Sequence, residues 1–164
     1  MRKDLTRFSV HTPTTAKTFK AILGTTSLFR IAKVDESLGV VFGWAIVCTR
    51  DGDDYYDWNV DAAGVHKGKL VPEHITEAAM LKSAADFMAS ARAGNEMHAG
   101  GDVGTFLFAF PLTGEIADAM GIATDKTGLM VGYQAPPAVL AKFRDGTYTG
   151  FSIEGKRIQF QEHD

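Results

Sequence analysis

An α+β fold is predicted for this chain: a bent, mainly antiparallel β-sheet or small β-barrel with peripheral helices. Three observations predict it. Short apolar stretches rich in aromatic and β-branched residues are bounded by glycines and turn residues, as strands are. Only one stretch, residues 75–92, carries a long helical period. Strands and helices also follow one another without the regular alternation of a doubly wound α/β chain. No repeat, low-complexity tract or linker divides the 164 residues, so 1–164 is read as a single domain, long enough to bury a core.

Taken in order, residues 1–18 are rich in Thr, Lys and Arg and read as an N-terminal arm or irregular edge. Apolar pieces in 19–34, broken by Gly24 and Thr25-Thr26-Ser27, predict a hairpin or two short strands. Asp35-Glu36-Ser37 is a turn. Residues 38–49 give the strongest strand signal, apolar on both faces and therefore central, with Gly39 and Gly43 predicting a bend or bulge. Residues 50–61 read as a turn and an edge segment. The spacing of Asp51, Asp53 and Asp57 invites a calcium-loop reading, but no glutamate closes the loop and no helices flank it.

The segment Val71-Pro72-Glu73-His74 is read as opening the long helix. Ile75, Ala78, Leu81, Ala85 and Met88 form its apolar stripe, widened by Phe87, and Gly94 ends it. His74 is taken as structural. Residues 105–110 form a strand whose Phe106, Phe108 and Phe110 share one face and are assigned to the core. Thr113 caps a short helix to Met120, and 128–133 is another strand. Pro136-Pro137 begin a helix to about residue 144, which delivers the chain into a strand around Ser152. A last strand at 157–160 and a tail at 161–164 complete the chain.

Apolar residues make up 45% of the chain and charged residues 23%, the balance of a soluble globular protein. The net charge is −3 and no basic run exceeds two residues, so no nucleic-acid partner is expected. Cys48 is the single cysteine, which excludes an intrachain disulfide and a multi-cysteine metal site; it is read as a core thiol. No cofactor or metal is expected. No apolar run approaches membrane-spanning length, so no membrane partner is expected and a cytoplasmic location is the simplest reading.

Two stretches carry the chemistry. In residues 147–155, Phe151 and Ile153 point one way if they pack into the core, and period-2 alternation sends Ser152 to the other face beside Gly150. A nucleophilic serine approached by an extended peptide needs such space, and so does a strand crossing a neighbouring backbone. In Asn95-Glu96-Met97-His98-Ala99-Gly100-Gly101, a histidine follows a helix and precedes two glycines. An imidazole on a neighbouring strand can take the hydroxyl proton as the oxygen attacks a carbonyl, while the plainer reading is a surface histidine. The Gly-x-Ser-x-Gly elbow of α/β-hydrolases is not met, because Ser152 is followed by Ile-Glu-Gly.

The series Val41-Phe42-Gly43-Trp44-Ala45, Met97-His98, Gly128-Leu129-Met130-Val131-Gly132-Tyr133 and 146–155, Gly-Thr-Tyr-Thr-Gly-Phe-Ser-Ile-Glu-Gly, resembles the phage prohead (capsid maturation) serine proteases, particularly the XkdF-like branch. Those proteases are themselves similar to the herpesvirus assemblins. The resemblance spans about residues 38–155. It implies Ser152 as nucleophile, His98 as general base, and an assemblin-like barrel with peripheral helices, often as a homodimer. It further implies phage scaffolding and major capsid proteins as substrates, inside an assembling procapsid in the host cytoplasm. The family's acidic residue after the histidine falls near Phe108 here. Glu154, two residues from Ser152 on the same strand face, is the first candidate for the third member, with Asp102, Glu115 and His163 as others. A catalytically inactive member acting as a capsid scaffold or adaptor is the alternative, and a β-rich binding module in which Ser152 is a plain strand residue is a third reading.

Overall fold

A computed structural model describes residues 7–11, 31–60, 70–96 and 101–154. Among them the fold is α+β, with a mainly antiparallel five-stranded sheet, two smaller sheets and three helices.

The large sheet is built on β3 (Val40–Arg50), which lies between β2 (Ile31–Asp35) and β9 (Lys126–Gln134). Its residues are apolar on both faces because it is central, as expected. Extra residues at Ala45 and Cys48 shift its register against β9, two β-bulges downstream of Gly43. At its end, Asp51 (φ 52°) and Gly52 (φ 89°) both take positive φ, making a tight Asp-Gly hairpin to β4 (Asp53–Asp54). The far edge is β8 (Thr105–Leu112), antiparallel to β9. The described strands leave this sheet open at β2 and β8 rather than closed as a barrel.

A two-stranded ribbon pairs β5 (Asp57–Val60) with β6 (Leu70–Glu73). This corrects the expected helix opening: Val71, Pro72 and Glu73 are strand, and Pro72 is tolerated there because the ribbon's outer side needs no donor. Helix α1 runs Glu77–Ser90, and Thr76 caps it by accepting the Ala79 N–H at 3.2 Å. Its buried residues are Met80, Ala84 and Phe87; of the expected stripe Phe87 is buried and Ile75 and Met88 pack against the core, whereas Ala78 and Ala85 are exposed and Leu81 is 39% exposed. The larger Met80 and Phe87 bury more apolar surface than two alanines can, and that sets the rotation. Helix α2 (Gly114–Met120), capped by Thr113, and helix α3 (Pro137–Arg144) follow as expected.

The expected phenylalanine row also differs. A register shift between Phe106 and Phe108 breaks the alternation of β8, so Phe106 is fully buried while Phe108 and Phe110 are 43% and 37% exposed. Phe106 stacks in an aromatic core with Tyr133 at 4.9 Å, Phe87 at 5.5 Å and Phe151 at 5.8 Å between ring centroids. Phe143 joins this group from α3, 5.9 Å from Phe151.

The third sheet holds β1 (Arg7–His11) in its middle, antiparallel to β10 (Gly150–Glu154) and parallel to β7 (Gly94–Glu96). Part of the segment expected as an arm is thus an interior strand. The first strand of the expected 19–34 hairpin, the strand at 157–160 and the tail at 161–164 lie outside the described residues.

Candidate active site

Sequence alternation explains why the third sheet forms. In Arg7-Phe8-Ser9-Val10-His11 and Gly150-Phe151-Ser152-Ile153-Glu154, apolar residues occupy every second position. Register pairs Phe8 with Ile153 and Val10 with Phe151, so these four share one face. Phe151, 1% exposed, packs that face into the aromatic core. Gly94, opposite Phe8, belongs to it too: a Cβ there would lie 2.8 Å from the Tyr133 ring. By period 2 the other face takes Arg7, Ser9 and His11 of β1, Gly150, Ser152 and Glu154 of β10, and Asn95 of β7. Ser152, Ser9 and Asn95 form one row across the three strands.

Three residues tie this sheet to α3. Lys142 donates to Glu96 Oε1 at 2.6 Å, the Tyr148 hydroxyl donates to the same oxygen at 2.5 Å, and Lys142 also reaches that hydroxyl at 3.3 Å. The Lys142 ammonium and then the Tyr148 hydroxyl hold the Glu96 carboxyl below its ordinary range. The Lys142 ammonium is raised, chiefly by Glu96, and the Tyr148 phenol is raised by its burial first and by Glu96 second. The cluster therefore fixes the last residue of β7 against the segment that enters β10. The Asp145 carboxylate, lowered first by its contacts with Thr147, accepts the Thr147 N–H at 2.8 Å and holds the turn between α3 and that segment.

Ser152 lies in the middle of β10. Glu154 occupies the same strand face, with Arg7 directly opposite on β1. His98 lies outside the described residues, as does His163. Asp102 is exposed, one residue before Val103, whose N–H donates to Gly94 O at 2.6 Å. Glu115 is exposed in the first turn of α2, at the opposite end of β8, and eight strand residues place it roughly 25 Å from Asp102. Phe108 covers Gly132 on the large sheet's outer face, its ring 5.7 Å from Phe42.

Sequence reasoning missed Glu96, Lys142 and Tyr148 as a cluster, and Arg7, Ser9 and His11 as members of the Ser152 face. The alternation in residues 7–11 was the available signal. His74 is held by Tyr55 O, 2.9 Å from Nδ1, next to the end of the ribbon strand β6. A groove of about 360 Å³ opens elsewhere, between Thr49, Glu77, Gly114, Asp118 and Lys126, where the Glu77 carboxylate accepts the Gly114 N–H at 3.0 Å. Among the described residues no three His, Cys, Asp or Glu gather as a metal would require, and no helix is long and apolar enough to cross a membrane. Comparison with protein-family models, curated proteins and solved structures finds no match.

Proposed function

We propose that this chain is a serine endopeptidase of the prohead-protease kind, with Ser152 as nucleophile and His98 as general base. The observation that carries the reading is the three-stranded sheet: β10, which bears Ser152, and β7, which ends two residues before His98, are separated only by β1. Two strand spacings are about 10 Å. In the proposed reaction Ser152 Oγ bonds the scissile carbonyl carbon while its proton passes to the imidazole. The proton then goes to the leaving amine as the C–N bond breaks, and water hydrolyses the acyl-enzyme.

The third member is open among Glu154, Asp102 and Glu115. Glu154 is the nearest of these to Ser152 along the chain, and its register partner on β1 is Arg7. Asp102 lies on the same side of β8 as β7, whereas Glu115 lies at the far end. The proposed substrates are phage scaffolding and capsid proteins within a procapsid, bound as an added strand along β7 or β10, the two edges of the sheet among the described residues. A homodimer and an assemblin-like barrel belong to the same proposal. A serine-directed fluorophosphonate probe tests it: Ser152 takes the label and Ser152→Ala does not. Absence of labelling under assembly conditions favours the inactive scaffold or adaptor.

A further inference from the structure

We infer that Tyr148 is a positioning residue for the reaction at Ser152. The inference rests on the reading of Ser152 as nucleophile and His98 as base, and it names what holds the strand of the one and the strand leading to the other at a fixed spacing. β10, which carries Ser152, and β7, whose last residue Glu96 precedes His98 by two positions, are not neighbours, because β1 lies between them. Among the described residues the ladders of this sheet join the two only through β1, and β1 meets β7 over three residue pairs. The Tyr148 hydroxyl bypasses β1. Tyr148 stands two residues before the first residue of β10, and its hydroxyl donates to Glu96 Oε1 at 2.5 Å.

Both ends of this link are held. Tyr148 is buried, its ring packs edge-on against Phe143, and its N–H donates to Lys142 O at 2.8 Å. The next residue is held from another side, because Thr149 O accepts the Ile31 N–H of β2 at 3.1 Å. At the far end Lys142 Nζ donates to the same Glu96 oxygen at 2.6 Å, so that one carboxylate oxygen takes two charge-assisted bonds. A link between groups held in this way transmits position, and a misplacement of about 1 Å between reacting groups can cost about a hundredfold in rate. Tyr148 and Glu96 set the spacing, and the Ser152 proton goes to His98 alone.

The test follows fluorophosphonate labelling of Ser152 against pH on the full chain without denaturant, with urea midpoints measured alongside. The proteins are the wild type, Tyr148→Phe, Glu96→Ala, Glu96→Gln, the double variant Tyr148→Phe/Glu96→Ala, and Thr113→Ala. Thr113 caps α2 at the far end of β8, so Thr113→Ala loses stability without touching the link. The expected result is a plateau labelling rate about tenfold lower in Tyr148→Phe and in Glu96→Ala, with no further loss in the double variant. Glu96→Gln, which keeps an accepting oxygen, recovers part of the rate, and Thr113→Ala labels as the wild type does. Destabilisation alone does not give this pattern, because chains that stay folded without denaturant label alike whatever their urea midpoint.

A Tyr148→Phe chain that labels at the wild-type rate while its urea midpoint falls overturns the inference and leaves the serine hydrolase intact. A wild-type chain that takes no label ends the hydrolase reading and, with it, the role of Tyr148 in a reaction. The link then shows only as coupling between the urea midpoints of Tyr148→Phe and Glu96→Ala.

Discussion

The Lys142 ammonium stands 2.6 Å from Glu96 Oε1, joining the last turn of α3 to the last residue of β7 across 46 positions of sequence. The Tyr148 hydroxyl donates to the same oxygen, and Tyr148 itself is only 6% exposed. Removing that hydroxyl in Tyr148→Phe keeps the ring packed on Phe143 at 5.5 Å and deletes a bond to a charged acceptor. The expected loss is about 1–2 kcal/mol in urea unfolding. Glu96→Ala is expected to cost a similar amount, because Lys142 is part-exposed and regains water. A Tyr148→Phe variant as stable as the wild type would mean that the cluster does not hold β7 in place.

The same cluster sets a pH dependence. The Glu96 carboxyl is held below its ordinary value of 4.5, by Lys142 first and Tyr148 second, so the folded chain binds this proton less readily than the unfolded chain. Its contribution is fully present above the unfolded value and is lost as pH falls through the lower folded value. Asp35 acts likewise: Ser37, then Lys33 and the Leu38 N–H, bring it from 3.8 down to about 2. Stability should therefore fall between about pH 4.5 and 2, and Glu96→Gln should flatten the upper part of that fall. Urea midpoints measured from pH 7 to pH 2 decide it, and identical profiles for wild type and Glu96→Gln would refute the assignment.

How far the fold was legible depended on whether the deciding contact was local. Thr113 and Pro136-Pro137 were readable as helix starts because capping and proline geometry act within a turn. The central position of β3 was readable from apolar residues on both faces. Phe108 and Phe110 were misplaced because the bulge that turns them outward is a relation between β8 and β9, and alternation within one strand does not record it. The opening of α1 was misplaced because Pro72 suits both a helix start and an outer strand position, and pairing with Trp58 chose the strand. Ser152 was singled out from its own strand, but its neighbours Ser9 and His11 come from the other end of the chain. Long-range pairing alone brings them together.

Two glycines in one strand should behave differently when given a methyl group. A Cβ at Gly128 would meet the Ile46 carbonyl oxygen at 2.1 Å and its carbon at 2.9 Å, and φ there is +148°, which side chains rarely adopt. At Gly132 the clash is with the outer atoms of the Phe108 ring at 2.1 Å, on a side chain that is 43% exposed and free to turn away. Gly128→Ala is expected to cost more than about 3 kcal/mol, because backbone must move in the middle of the sheet. Gly132→Ala is expected to cost about 1 kcal/mol, the scale of a displaced rotamer. Urea unfolding of the two variants side by side checks the order, and equal losses would contradict it.

Cys48 offers a readout of opening in the large sheet. It is fully buried in β3, and its burial, followed by the charge of Glu77, pushes the thiol up to about 12. A thiol with that value carries almost no thiolate at pH 8, and the thiolate is the form that attacks disulfide and alkylating reagents. Reagent access also requires β3 to separate from the helices and strands that cover it. Reaction of the native chain with a thiol-specific reagent should therefore be slower than that of the urea-unfolded chain by a factor set by the opening equilibrium. The rate should rise with urea in parallel with unfolding, and Phe87→Ala, which removes a core side chain of α1, should accelerate it in the absence of urea. A native thiol that reacts as fast as the unfolded one at pH 8 would show that the central strand is open to solvent, contrary to this packing.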